Sequence, residues 1–396
     1  CDENVSGAVS FKNQYIKIAN DIVFDHDYEY YDNTLWQIER DFEGNIDGDN
    51  HTIYFKTGFS RFSSLNGAKI KNLNYKSDLP LGAGFFNKVS DSEIINCNFE
   101  STIYDNDVGA YFRIFGIAGE VEKSKIIDCN VVLNIYWGCY DFGGIAENIE
   151  ESEIINCKVF ANVTKSYVSE SGGISCTASD SKILNCYTEI NIQGDSSNVS
   201  GITNSANNTL ISGCSTKIFV FAAGGIYSSG ISNIFRNGVI ENVTAEVDIT
   251  LYEKNTPEFL GGISAIISNS EIKNAKVFGK FDTPDYSAGG IAGKAEGDVK
   301  ISNSEVYCGI IAMYPAGIVS ESKGSIIENC LYYGDITTKY NTFFNKPGLG
   351  AGLVVHSEND LIKNCFTGGT LTLEENTSGG GLALNLTGTK ITNSHF

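Results

Sequence analysis

The hexapeptide SEIINC occurs at Ser92–Cys97 and again at Ser152–Cys157, with SKIIDC at Ser124–Cys129 between them and SKILNC following at Ser181–Cys186. Aligned on the asparagine, the pattern runs through Asn72, Asn96, Asp128, Asn156, Asn185, Gly213, Asn242, Asn274, Asn303, Asn329, Asn364 and Asn393, at a mean interval of about 29 residues. Two residues before each of these anchors stands an isoleucine, from Ile70 and Ile94 through Ile154 and Ile183 to Ile362 and Ile391. A unit of this length, repeated twelve times, restricts the chain to an array in which each copy buries its apolar face against its neighbours.

A second mark, small–Gly–apolar, precedes each anchor after the first. Its glycine is read as Gly84, Gly116, Gly144, Gly173, Gly201, Gly225, Gly262, Gly290, Gly317, Gly352 and Gly381. The step from glycine to anchor is 12 residues in nine of eleven copies, with 13 from Gly290 to Asn303 and 17 from Gly225 to Asn242. Length varies mainly between an anchor and the next glycine, which assigns the loops to that stretch.

Past the anchor, apolar residues alternate, as in Cys129, Val131, Leu133 and Ile135, or Cys157, Val159, Ala161 and Val163. Period 2 with β-branched residues is the mark of a strand with one buried face. The isoleucine before the anchor and the cysteine after it are three positions apart, an odd step that alternation cannot place on one side. The chain therefore turns at the anchor, where asparagine tolerates the left-handed backbone and Gly213 replaces it once. The glycine marks a second bend or a close approach of backbones.

These features predict an all-β fold, a right-handed parallel β-helix of eleven or twelve coils with an irregular N-terminal cap, the hand following from the usual crossover preference. At the inter-strand spacing, twelve coils make a rod of roughly 55 Å. Residues 1–13 are read as a tether, 14–62 as a capping segment and first coil, and 63–396 as the repeats. Cys97, Cys129, Cys157, Cys186 and Cys214 then form a column, resumed by Cys330 and Cys365, of buried thiols acting as small apolar side chains. Disulfides are the rival reading, although side chains stacked in parallel suit that bond poorly. No CxxC spacing points to zinc.

The opening residues carry a family resemblance. FEGNIDGDNHTI (Phe42–Ile53), LNGAKIKNL (Leu65–Leu73) and the serial GGIAG…S-x-I-x-N-C units are similar to GLUG-type repeat proteins, bacterial surface proteins that resemble right-handed β-helices. The similarity spans nearly the whole chain from about residue 14, and it departs from the family in its many aromatics and its cysteine column. Some proteins with this motif are zinc peptidases with an HExxH helix; no HExxH occurs here, and His26, His51, His356 and His395 are scattered. The sequence starts at Cys1, followed by DENVSG, and so resembles a processed bacterial lipoprotein lipidated on that cysteine, with an acidic residue next to it as in surface-exported lipoproteins of the Bacteroides group. The plainer reading is an arbitrary start. The resemblance implies a location at the bacterial cell surface or outer membrane, with membrane contact only through a lipid on Cys1.

Charge narrows the partners. With 48 Asp+Glu against 28 Lys+Arg, the net charge of −20 argues against nucleic acid and against polyanionic substrates. A binding face on such a rod lies where equivalent loops stack. Two successive loops, YDNDVGAYFRIF (Tyr104–Phe115) and NIYWGCYDFGG (Asn134–Gly144), are rich in aromatics and acids. They nominate Tyr111, Phe112, Tyr136, Trp137 and Tyr140 as a platform edged by Asp105, Asp107 and Asp141, which is what sugar rings need. The competing reading packs these rings under their own loops. FDHDYEYYDNTLW (Phe24–Trp36) is equally aromatic and acidic. Asp41, Glu43, Asp47 and Asp49 could hold calcium, although Asp-Gly turns account for them without a metal, and no other cofactor is implied.

Three functions fit: an adhesin-like, non-catalytic surface protein that binds glycan or a host component, a β-helix glycoside hydrolase or polysaccharide lyase, and a structural spacer of the envelope. The closest acid pairs available to an enzyme are Asp105/Asp107 and Asp282/Asp285.

Overall fold

The computed structural model describes residues 11–24, 36–56, 60–78, 84–104, 112–136, 139–252, 258–341 and 345–396. Among these residues there is no helix. Parallel strands stack into a β-solenoid of about eleven turns. Three sheets run along it. Between the isoleucine and the anchor lie three-residue strands such as Glu93–Ile95, Lys125–Ile127, Glu153–Ile155 and Lys182–Leu184, forming one 14-stranded sheet. Past the anchor come the longest strands, including Asn98–Ile103, Asn130–Ile135 and Lys158–Gly172. After the glycine, five-residue strands such as Ala146–Glu150, Ser175–Ser179 and Thr203–Asn207 build a 13-stranded sheet.

Register is that of the sequence repeat. Ile126 pairs with Ile154, Ile154 with Ile183 and Ile183 with Ile211, all completely buried. Burying a side chain of this size is worth ~1.5–3 kcal/mol, so each rung of the isoleucine column contributes at that scale. Segment 14–62, assigned from sequence to a cap and first coil, supplies strands to all three sheets: Tyr15–Lys17 pairs with Asn45–Asp47, Ile22–Phe24 with Thr52–Phe55, and Trp36–Phe42 with Ser60–Asn66. At the other end, Leu382 and Ile391 of the last coil are only partly buried.

All twelve anchors have positive φ, between 49° and 68°. The corner residues are also joined coil to coil, each side-chain amide donating to the Oδ1 one coil earlier: Asn96 to Asn72 at 2.8 Å, Asn156 to Asp128 at 3.1 Å, Asn274 to Asn242 at 3.0 Å, Asn364 to Asn329 at 3.1 Å. Aspartate fits this ladder as an acceptor only, which is the part Asp128 plays.

A second left-handed corner stands five residues before the first. Asp91, Lys123, Glu151, Asp180, Asn208, Asn237, Asn269 and Asn359 all take φ between 46° and 57° there. The sequence reading did not identify it, because Lys123 and Glu151 stand among the Asp and Asn residues there and break the pattern. In the copy with the 13-residue step, the left-handed residue is Gly297, six before Asn303, so the additional residue sits at this corner.

Both corners use one device. In many coils the side chain after the left-handed residue donates back to the carbonyl before it. At the earlier corner Ser92 Oγ donates to Ser90 O at 2.6 Å, Ser152 to Glu150 O at 2.7 Å and Ser181 to Ser179 O at 2.6 Å. At the anchor corner the donor is the thiol: Cys97 Sγ to Ile95 O at 3.3 Å, Cys129 to Ile127 O at 3.3 Å, Cys157 to Ile155 O at 3.4 Å. Ser304 does the same in its coil, to Ser302 O at 2.9 Å. The cysteine column is thus a row of weak second donors to carbonyls that already accept a backbone N–H from the preceding coil, as Ile95 O does from Asn72 and Ile127 O from Asn96. All ten cysteines among the described residues are free and buried.

The glycine column is a close approach. A Cβ on any of Gly116, Gly144, Gly173, Gly201, Gly230, Gly262, Gly290, Gly317 or Gly352 would lie 1.9–2.1 Å from the carbonyl oxygen of the equivalent glycine in the next coil. This corrects one assignment. Gly230, not Gly225, belongs to the column: it is 12 residues before Asn242, and the N–H of Ile202 beside Gly201 meets the carbonyl of Ile231 beside Gly230 at 2.9 Å. Gly225 lies in the preceding loop, its N–H donating to the buried Tyr286 hydroxyl at 3.3 Å. The AAGG run at 222–225 imitates the mark, whereas the true copy reads Ser-Gly-Ile.

Gly201→Ala is expected to lose about 3 kcal/mol or more of unfolding free energy, because backbone must move. Gly309→Ala, where a Cβ meets nothing within 4 Å, is expected to stay within about 0.5 kcal/mol of the parent; equal denaturation midpoints for the two variants would refute the packing account. For the thiols, burial alone pushes Cys308 up to about 12. A thiol reagent should leave the ten buried cysteines unmodified in the native chain and titrate all ten in denaturant without reductant.

Candidate functional site

The longest sheet turns alternate residues outward, so positions at even steps past the anchor form columns along the rod. Tyr104 and Tyr136 each lie eight residues past an anchor, in successive coils. Their rings stand 5.6 Å apart at an interplanar angle of 13°, and they are 56% and 46% exposed. Tyr140 is exposed as well. Amide side chains border the pair in the adjacent outward column, where Asn162 Nδ2 donates to Asn134 Oδ1 at 3.2 Å.

Asp141 faces the other way. It is buried, its Oδ1 accepts the Glu170 N–H at 2.9 Å, and its Oδ2 lies 3.3 Å from Arg113 Nε. Arg113 also reaches Glu147 at 2.5 Å. Burial raises the Asp141 carboxyl above its ordinary value, against the pull of the Glu170 N–H and the Arg113 charge. Asp141 therefore ties its own coil to both neighbours. Asp105, Asp107, Tyr111 and Trp137, with the side chain of Phe112, lie outside the described residues.

Two of the four candidate calcium ligands, Asp47 and Asp49, are engaged otherwise. Asp47 receives Lys71 Nζ and Tyr15 Oη at 2.8 Å and Asn72 Nδ2 at 3.1 Å, and these partners, Lys71 foremost, hold its carboxyl well below the usual range. Asp49 pairs with Lys17 at 2.8 Å. Among the described residues no group of three or more His, Cys, Asp or Glu is arranged to hold a metal. Of the acid pair Asp282/Asp285, the first is exposed and the second is buried, accepting Asn341 Nδ2 at 2.8 Å.

What the sequence reading missed is how far the aromatic pairing extends. Along the same outward face, neighbouring coils bring together Phe160 and Tyr187 at 5.8 Å, Phe221 and Tyr252 at 5.1 Å, and Phe278 and Tyr307 at 5.5 Å between centroids. The signal was available: counting a fixed number of residues from each anchor puts Phe278 and Tyr307 at the same step, four. Comparison with protein-family models and with curated proteins returns no match, so the reading of this face rests on its geometry.

Because burial raises the folded-state value of Asp141, its favourable contribution is complete below the unfolded carboxyl range and is lost as pH rises through the folded value. Asp141→Asn keeps an acceptor for the Glu170 N–H without a charge to desolvate. The stability of the parent relative to this variant should fall as pH rises from about 4 to about 7; urea midpoints across that range measure it, and a rising difference would contradict the assignment.

Proposed function

We propose that this chain is a non-catalytic, adhesin-like β-solenoid of the bacterial cell surface that binds glycan through the outward face of its longest sheet. One observation carries the reading: the exposed, parallel Tyr104–Tyr136 pair bordered by amide side chains. Apolar ring surface offers sugar C–H groups a stacking partner, while the amides supply both donors and acceptors to hydroxyls. Free rings at this density are costly to leave in water, and packing under a loop does not account for a pair about half exposed. The surface location is supported by the GLUG-like motifs of the sequence.

The enzyme reading asks for two carboxylates facing each other across an open groove, roughly 5–10 Å apart. Asp282 and Asp285 point to opposite sides of their strand, exposed and buried, and Asp105 and Asp107 lie outside the described residues, so among the described residues neither named acid pair favours it over binding. A spacer would be served as well by charged pairs as by aromatics on this face.

On an array of neutral and acidic glycans the protein should retain neutral ones, and Tyr104→Ala/Tyr136→Ala should weaken that binding by about tenfold, the scale of ~1.4 kcal/mol, at unchanged thermal stability. A parent protein that binds no glycan, or a double variant that binds like the parent, would refute the site.

A further inference from the structure

We infer that the C-terminal third of the same face carries a second site, the strip Phe278–Tyr307–Tyr333–Phe366, which takes a neutral polysaccharide chain lying along the axis of the solenoid. It rests on the glycan reading above and adds a place, a ligand class and an orientation.

The strip occupies one column. Four residues past the anchor stand Phe278, Tyr307 and Tyr333 in three successive coils. In the fourth coil that position is Gly368, paired with Tyr333, and the ring of Phe366 comes over it: a Cβ there would lie 3.1 Å from Phe366 Cε1 and 3.2 Å from Tyr333 Cδ2. Glycine thus makes room for a fourth ring beside the third. All four rings are between 37% and 60% exposed. At the coil spacing they cover about 14 Å of the axis.

The same column is built differently elsewhere. Lys76 pairs with Glu100 at 3.0 Å, and Lys217 with Glu246 at 3.7 Å, both at the four-residue step. Ion pairs therefore serve the fold at this position, and the change to four exposed aromatics calls for another cause. Phe278 and Tyr307 are nearly parallel, at 10°, with centroids 5.5 Å apart. Parallel rings so far beyond the ~3.5–4.0 Å of direct contact are slipped past one another, so each leaves part of a face open. Beside them the next outward column opens at Gly309, where a Cβ would meet nothing within 4 Å. A ridge of ring surface with a clear step beside it suits an extended chain of pyranoses better than a compact ligand.

Charge selects a neutral chain. The ionic groups nearest the ridge are tied in pairs, Lys276 to Glu305 at 3.0 Å and Lys280 to Asp248 at 3.4 Å, and Tyr307 Oη donates to Glu305 at 3.3 Å. Asp282 and Asp335 lie exposed at its outer side. With −20 overall, a uronate or sulfated polymer would meet net repulsion.

The test is affinity electrophoresis of the full chain in gels containing mixed-linkage β-glucan, galactomannan or dextran, with polygalacturonate as the charged control. At least one neutral polymer should retard the protein and polygalacturonate should not. Phe278→Ala/Tyr333→Ala should raise the dissociation constant for that polymer about tenfold, while Tyr333→Phe keeps parental affinity and thermal midpoints stay together. Oligosaccharides too short to reach from Phe278 to Phe366 should bind at least tenfold more weakly than the polymer, which tests the orientation. If the Phe278/Tyr333 variant is retarded like the parent while Tyr104→Ala/Tyr136→Ala is not, the strip is overturned and the first site stands. Absence of retardation by every neutral polymer overturns both. A variant that alters only the sedimentation of the protein, with polymer binding intact, identifies the strip as a self-association surface and overturns it.

Discussion

Two left-handed corners per coil, many of them closed by the side chain that follows, hold this architecture in place. A single residue in the left-handed region bends the chain sharply at each corner, and the carbonyl before it accepts a backbone N–H from the preceding coil, as Ile95 O does from Asn72 and Ser90 O from Gly67. In many coils the residue after the corner returns a further donor to that carbonyl, a serine hydroxyl at one corner and a thiol at the other, while Ala68, Gly238, Val243 and Ala275 do without it. The three-residue strand between them is too short to stand alone, yet it lies in a 14-stranded sheet because its ends are fixed by chemistry and its centre is a buried isoleucine. Serine and cysteine divide the work by surroundings: sulfur is a weaker donor but an apolar neighbour, and its position opens the row that runs into the core as Val131, Leu133 and Ile135.

Register follows from contacts between coils. The glycine column lets each backbone approach the next so closely that a methyl group cannot enter, and the corner amides hand hydrogen bonds from coil to coil in one direction. Neither constraint tolerates a slip. A one-residue shift would turn the isoleucine column outward and bring a side chain against the glycine carbonyls. With register fixed, any residue type repeated at one step from the anchor becomes a straight row on the surface, and its spacing is that of the coils.

How legible the molecule was in its sequence depends on how narrow the chemistry is at each place. The anchor corner was readable because asparagine is the side chain that best combines positive φ with a ladder amide, and Ile-x-Asn recurs in ten of the twelve copies. The earlier corner was not, because Lys123 and Glu151 interrupt its Asp and Asn residues and hold the same φ by being tied into a rigid frame, at a cost of ~1–3 kcal/mol each for a non-glycine residue. Gly225 was mistaken for Gly230 because two glycines in a row look like the mark, while the requirement lies in a distance to the next coil. Of the first aromatic patch, the Tyr104–Tyr136 pairing was within reach of the sequence, but the inward turn of Asp141 was not: in this strand it depends on a loop whose length differs from coil to coil. The strip at Phe278–Phe366 escaped because its members are single aromatics about 29 residues apart, unremarkable until placed in register.

A rigid frame also explains what the outward aromatics can do. Binding that orders flexible loops loses part of its free energy to the ordering, whereas rings mounted on successive strands are already aligned. Each ring contributes weakly, and an array at constant spacing adds those contributions along one ligand without a cavity. Such a face discriminates by length, direction and charge of the chain it carries, more than by the identity of a single sugar. It also asks little of any one coil, so the outward columns can exchange ion pairs for rings, as between Lys217–Glu246 and Phe278–Tyr307, while the corners, the glycines and the isoleucines keep their places.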